Sequence, residues 1–194
     1  MKAVFAWAAP LALLTTAAGT GAAGAQQQAT ASGTAPVSAP AFDPREVLAL
    51  EAGTWDAAIT FPSQQEGVPA QTARGVQVNE LRSGGMWMLN RFSVEGTPYE
   101  GTGVWGADRT TGRFSGIWTD NNDAQIRMDD GRWDPAARTM TWTANMVQPD
   151  GRYTRLLTTE TFHDDRREFR VVALTRRGEV PLVEIVFTRR PGTA

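Results

Sequence analysis

Few residues in this chain could do covalent or metal chemistry. Cysteine is absent and His163 is the only histidine. Thiol nucleophiles, disulfides, iron–sulfur and cysteine–zinc centres, three-histidine metal sites and any second-histidine catalytic set are therefore excluded. Serine hydrolysis would need His163 as its base, yet it lies in a polar Phe162-His163-Asp164-Asp165 turn, where a surface imidazole is the simpler reading. The acids number 21, and no spacing among them singles out a catalytic pair. Gly101-Thr102-Gly103-Val104-Trp105-Gly106 matches the dinucleotide pattern G-x-G-x-x-G. A phosphate site requires a helix N-terminus directly behind the glycines, whereas Asp108 to Gly112 reads as a turn. Asp120-Asn121-Asn122-Asp123 invites a calcium loop, but Ala124 occupies position 5 and no glycine follows at position 6. No cofactor and no metal are expected.

The elements that must position any site have a period of two. Trp55, Ala57, Ile59 and Phe61 alternate with Thr54, Asp56, Ala58 and Thr60; Met140, Trp142, Ala144 and Met146 alternate with Thr139, Thr141, Thr143 and Asn145. A half-buried strand separates such sets onto two faces, which a helix would not. Similar runs lie near 74–81, 86–94, 99–107, 113–119, 124–128, 152–162, 167–176 and 181–190, making ten candidate strands. Turn residues fall between them, as at Ser83-Gly84-Gly85, Glu95-Gly96-Thr97-Pro98 and Arg177-Gly178-Glu179. Connections this short join antiparallel neighbours, and no helical crossover follows Phe61. The expected fold is all-β: an antiparallel up-and-down barrel of about ten strands, which removes sheet edges, with a two-sheet sandwich as the alternative. One short helix precedes it, because Asp43-Pro44-Arg45-Glu46 combines an N-cap acid, proline at the first helical position and glutamate three residues after the cap.

Placing the more apolar face of each strand inward puts Trp118 and Trp142 inside, together with Val76, Val78, Ile126 and Leu157. Met86, Met88, Met128, Met140 and Met146 fall in the same phase, and flexible methionines suit a wall that adapts to an apolar guest. Glu80, Asn90, Tyr153 and Arg155 are the polar residues near that phase. The 152–162 strand is ambiguous, since Leu156 and Phe162 oppose Tyr153, Arg155 and Leu157. An inward Arg155 would seek a carboxylate, from Glu80 or from the ligand. The expected ligand-binding residues are Met88, Asn90, Trp118, Met128, Trp142, Tyr153 and Arg155. Five of the seven tryptophans sit in G-x-W (Trp55, Trp87, Trp105, Trp118 and Trp133), where the glycine two residues back leaves room for the indole.

The N-terminus reads as an address. Lys2 precedes an apolar run from Ala3 to Leu14, too short to span a bilayer, and Ala23-Gly24-Ala25 supplies a small-x-small cleavage site. The expected organisation is a signal peptide over 1–25, a flexible linker over 26–42, a barrel domain over 43–190 and a tail over 191–194. Export would leave the domain in the periplasm or outside the cell. A formal net charge of −2 disfavours a nucleic-acid partner.

Ala52-Gly53-Thr54-Trp55 resembles the opening of the bacterial domain-of-unknown-function 1579 family. The same holds for Gly101-x-Gly103-x-Trp105-Gly106-Ala107-Asp108 with Gly112-Arg113-Phe114-x-Gly116-Ile117-Trp118-x-Asp120, and for a closing strand Glu184 to Arg190. The resemblance spans roughly Arg45 to Arg190 and implies a lipocalin-like (calycin-like) barrel with no established activity. Where the family usually has Gly-Tyr-Asp, this chain has Gly106-Ala107-Asp108. The resemblance also implies that Arg189, near the chain's end, covers the first-strand Trp55 in a structural role. The expected function is an exported barrel that binds a small apolar or amphiphilic molecule inside. The alternatives are an enzyme using the same cavity and a ligand-free structural or interaction barrel.

Overall fold

The computed structural model describes residues 40–122, 124–148 and 150–192. The expected signal peptide, nearly all of the linker and the last two residues of the tail lie outside the described residues. Asp43 caps α1 (Pro44–Ala49), its carboxylate accepting from the Arg45 backbone N–H at 3.0 Å. Pro44, Val47 and Leu48 give this short helix its buried apolar face, so packing and not helix length must hold it.

Ten strands follow: β1 (Gly53–Phe61), β2 (Gln71–Arg82), β3 (Trp87–Val94), β4 (Glu100–Asp108), β5 (Arg113–Asp120), β6 (Arg127–Asp134), β7 (Thr139–Val147), β8 (Tyr153–Phe162), β9 (Arg166–Thr175) and β10 (Gly178–Arg189). Each pairs antiparallel with its sequence neighbours, and β1 also pairs with β10, so the sheet closes into an up-and-down barrel with no free edge. Trp55 stands opposite both Arg189 on β10 and Gln77 on β2. A register shift between Pro181 and Val183 accommodates the proline, which has no N–H to give the ladder.

Helix α1 plugs one end of the barrel. Val47 and Leu48 pack with Ala107, Phe114, Met140, Trp142 and Phe162. A second cluster, built on Trp55, Ile59, Phe92, Val183, Ile185 and Phe187, fills the β1, β3 and β10 side. Between them lies the site.

Three strands carry a different face inward from the one their apolar residues indicate. On β2, Gly75, Gln77 and Asn79 point in, while Val76 and Val78 lie on the outer, half-exposed face. On β8, Leu156, Thr158, Glu160 and Phe162 point in and Leu157 points out. The β6 strand begins at Arg127 and runs to Asp134, not over 124–128. Its inner face is Arg127, Asp129, Gly131 and Trp133, which leaves Ile126 (64% exposed) and Met128 (73%) outside. The reason is common to all three. Their inward polar groups find buried partners, Gln77 and Glu160 on Arg167, Asn79 on the Glu51 carbonyl and Asp129 on Arg127, and the outward apolar residues need only their flanks covered. Outward Leu89, Val104, Ile117 and Met128 are in fact paired in a row across β3 to β6.

Candidate functional site

A cavity of about 80 Å³ lies within the barrel. Three indoles wall it: Trp105, Trp118 and Trp142. Each lies flat against the sheet because a glycine beneath it has no side chain. A methyl group at Gly103 or Gly116 would overlap the Trp105 ring, one at Gly101 would overlap Trp118, and one at Gly131 would overlap Trp142. Only Gly103 and Trp105 do this within a single G-x-W; across strands, Gly116 faces Trp105 and Gly131 faces Trp142 in register, and Trp118 leans over Gly101. The rings also pack on each other, Trp105 with its centroid 6.1 Å from Trp118 and 6.2 Å from Trp142. Indoles laid along the wall leave the barrel's centre open.

The lining also carries polar groups, among them Glu51, Gln77, Asn90 and Glu160, and Arg167 lies behind them. Arg167 on β9 is fully buried, its guanidinium carbon 4.2 Å from the Trp55 ring centroid and 4.4 Å from that of Phe187. It donates to Glu51 at 3.3 Å, to Glu160 and to the Gln77 side-chain oxygen. Both glutamates line the cavity. One guanidinium thus serves two buried carboxyl groups. Burial first, and the neighbouring Glu160 second, push the Glu51 carboxyl up to about 8 against the opposing pull of Arg167. Burial likewise raises Glu160. The pair therefore keeps a proton near neutral pH.

The turn that delivers Glu51 is held from two sides. Its backbone carbonyl accepts from Trp55 Nε1 and from Asn79 Nδ2, both at 2.8 Å. Arg189 donates to the carbonyls of Leu50 and Ala52, with its guanidinium carbon 4.0 Å from the Trp55 centroid. Two arginines therefore flank one indole, and both tie it to the end of α1. Elsewhere in the lining, Arg127 forms a paired contact with Asp129 (3.0 Å from Nε to Oδ1), and burial raises Asp129 despite that cation. Tyr99 and Trp118 both donate to Asp120 Oδ2, at 3.3 and 3.1 Å. Burial first, then Asp120, raises the Tyr99 hydroxyl, so it stays a donor.

Of the residues read from sequence as ligand-binding, Asn90, Trp118 and Trp142 line this cavity. Met88 is buried in the same inward phase without lining it. Met128, Tyr153 (72% exposed) and Arg155 point away from the barrel interior, so none can touch an interior guest. Glu80 is also outside, paired with Arg82 and Arg91, and cannot meet Arg155. Sequence reasoning missed Glu51, Gln77, Asp129, Glu160 and Arg167. A signal existed for two of them: Glu160 is in phase with Leu156 and Phe162, and Arg167 with Phe169 and Val171. His163 is exposed beside Glu168, at 3.8 Å, and takes no part in the cavity. Gly101 to Gly106 lie inside β4, so no helix follows them. Among the described residues no cluster of three His, Cys, Asp or Glu could hold a metal, and no helix is long and apolar enough to cross a membrane.

The chain belongs to the protein family of unknown function DUF1579, whose profile matches residues 41–189. No curated protein matches it. Among solved structures, it is similar to a protein of unknown function from the DUF3598 family of Nostoc punctiforme. The two share 9% identity over 77% of this chain and 100% of that one, with a TM-score of 0.26.

Proposed function

We propose that this barrel binds a small amphiphilic molecule in its interior, apolar on the side of the three indoles and polar on the side of Glu51, Glu160 and Asn90. The observation that carries this reading is the cavity itself, kept open by indoles flattened over glycines. A packed structural barrel would fill such a space, since interiors normally hold few voids larger than a water. The volume sets the guest's size. A cavity of about 150 Å³ takes benzene, so this one suits a guest of a few heavy atoms and no long acyl chain. With roughly 1.5 kcal/mol per heavy atom as a ceiling, a five-atom guest binds no tighter than about micromolar.

Titration with isobutanol, followed by tryptophan fluorescence and by the guest's own NMR signals, tests this reading. A saturable response, weakened in Trp142→Phe, is expected. No response by either method would leave the packed-barrel alternative. The N-terminal reading supports export, with the mature chain starting at Gln26 after cleavage. N-terminal sequencing of protein recovered outside the cytoplasm tests that; exported material retaining Met1 would refute it.

A further inference from the structure

We infer that the guest is a small organic cation, an alkylammonium carrying at least one N–H. This rests on the interior-binding reading above and names its chemical class. Three independent features of the lining converge on it.

The first is charge. Asp129 and Arg127 satisfy each other, but Glu51 and Glu160 share the single guanidinium of Arg167. With both ionised, the group is one cation short. Arg189, the other cation nearby, is on the Trp55 ring and donates to backbone carbonyls. A proton shared by the pair makes up the difference; an ammonium in the cavity would replace it.

The second is an acceptor with nothing to accept. Asn90 is 1% exposed and lines the cavity, and its Oδ1 is buried without a hydrogen-bond partner. Its orientation is not free to reverse. The Glu51 carbonyl can only accept, so Asn79 must present Nδ2 to it and Oδ1 to Asn90. Asn90 must then donate with Nδ2, at 2.6 Å, which leaves Oδ1 over. A buried acceptor left this way calls for a donor. The unpartnered donor in the same region, Arg167 Nε, belongs to a guanidinium covered by the Trp55 and Phe187 rings.

The third is the wall. Indole faces attract cations through the ring quadrupole, and three indoles line this space; Arg127 already lies over Trp118, 5.9 Å from its centroid, which leaves Trp105 and Trp142 for a guest. Carboxylates, an orphan carbonyl and aromatic faces all favour positive charge. A carboxylate guest would have to draw Arg127 from Asp129 or Tyr99 from Asp120, while facing Glu51 and Glu160.

Three probes of one shape separate the possibilities: isobutylammonium, isobutanol and isobutyrate, titrated into the intact protein at pH 7. The ammonium should bind about ten-fold tighter than the alcohol, and isobutyrate not at all. In Glu51→Gln the preference for the ammonium over the alcohol should collapse. A denaturation midpoint shows whether that variant is folded, and Glu160→Gln repeats the test if it is not. Equal or tighter binding of the alcohol would overturn the cation assignment and leave interior binding standing. No binding of any probe would overturn both.

Discussion

The Trp105 indole lies over Gly103 so closely that no side chain, not even a methyl, can stand on that residue. Gly116 clears the same ring from the neighbouring strand, so the indole is held flat from two positions and has no outward escape. Gly103→Ala should therefore push Trp105 into the cavity. Overpacking of this kind costs about 1–3 kcal/mol, against the small gain alanine normally brings to a strand. Chemical denaturation should show the loss, and interior titration should show binding abolished. A more stable variant that still binds would mean that Trp105 has room elsewhere.

Trp55 is fully buried, flanked by Arg167 and Arg189, and bonded to the Glu51 carbonyl. Trp55→Ala should destabilise by about 3–5 kcal/mol, the range for a deleted buried aromatic. A denaturation midpoint matching wild type would contradict its packed role.

Arg167→Met removes the guanidinium bonded to Glu51 and Glu160 while preserving much of the packing between Trp55 and Phe187. Breaking a buried ion pair from one side costs roughly 3–5 kcal/mol. The loss should be largest at high pH, where both carboxyls ionise, and smallest at pH 5, where they hold protons. Equal losses at pH 5 and pH 9 would show that packing, not charge, is what the arginine supplies.

Glu51 also sets a pH slope. Its folded value near 8 stands above the ordinary 4.5, so the folded state holds a proton that the unfolded state has released between those two values. Its stabilisation is complete below about pH 4.5 and declines through the window to about pH 8, by at most roughly 1.4 kcal/mol per unit. Exposed acids held low by arginines, such as Asp43 and Asp56, act oppositely and only at acid pH. The slope of wild type minus that of Glu51→Gln, from denaturation at several pH values, isolates the effect. Parallel curves would mean that Glu51 is ionised throughout.

Arg155→Gln and Met128→Ala change outward side chains and should leave interior titrations unaltered. A shifted affinity in either would place the guest on the outside of the sheet.

Local rules made much of this protein legible from its residues alone. Alternation and turn residues are properties of neighbours along the chain, and they located nine of the ten strands, the capped helix at Asp43 and the antiparallel order. Short connections then led to closure. The family resemblance placed Arg189 beside Trp55, and the register sets these two opposite each other. The strand from Arg127 to Asp134 was displaced because a partly buried Arg127–Asp129 pair occupies its inner face and hides the apolar alternation.

Which face of a strand points inward was decided by the closed barrel. A slip of one residue exchanges the faces, and residue type settles the choice only when the two faces differ in polarity. On β2 it would have put Val76 and Val78 inside, but pairing with Trp55 turns Gln77 inward to meet Arg167, 90 positions along the chain. Glu51 reaches the same arginine across 116 positions. Phase along β8 and β9 marks Glu160 and Arg167 as inward, but no spacing brings the cluster together, because its members are polar residues made tolerable in the core by one another. The glycines follow the same logic: G-x-W is a local pattern, yet three of the four glycine positions that clear the cavity's indoles do so across strands, where register alone brings them together.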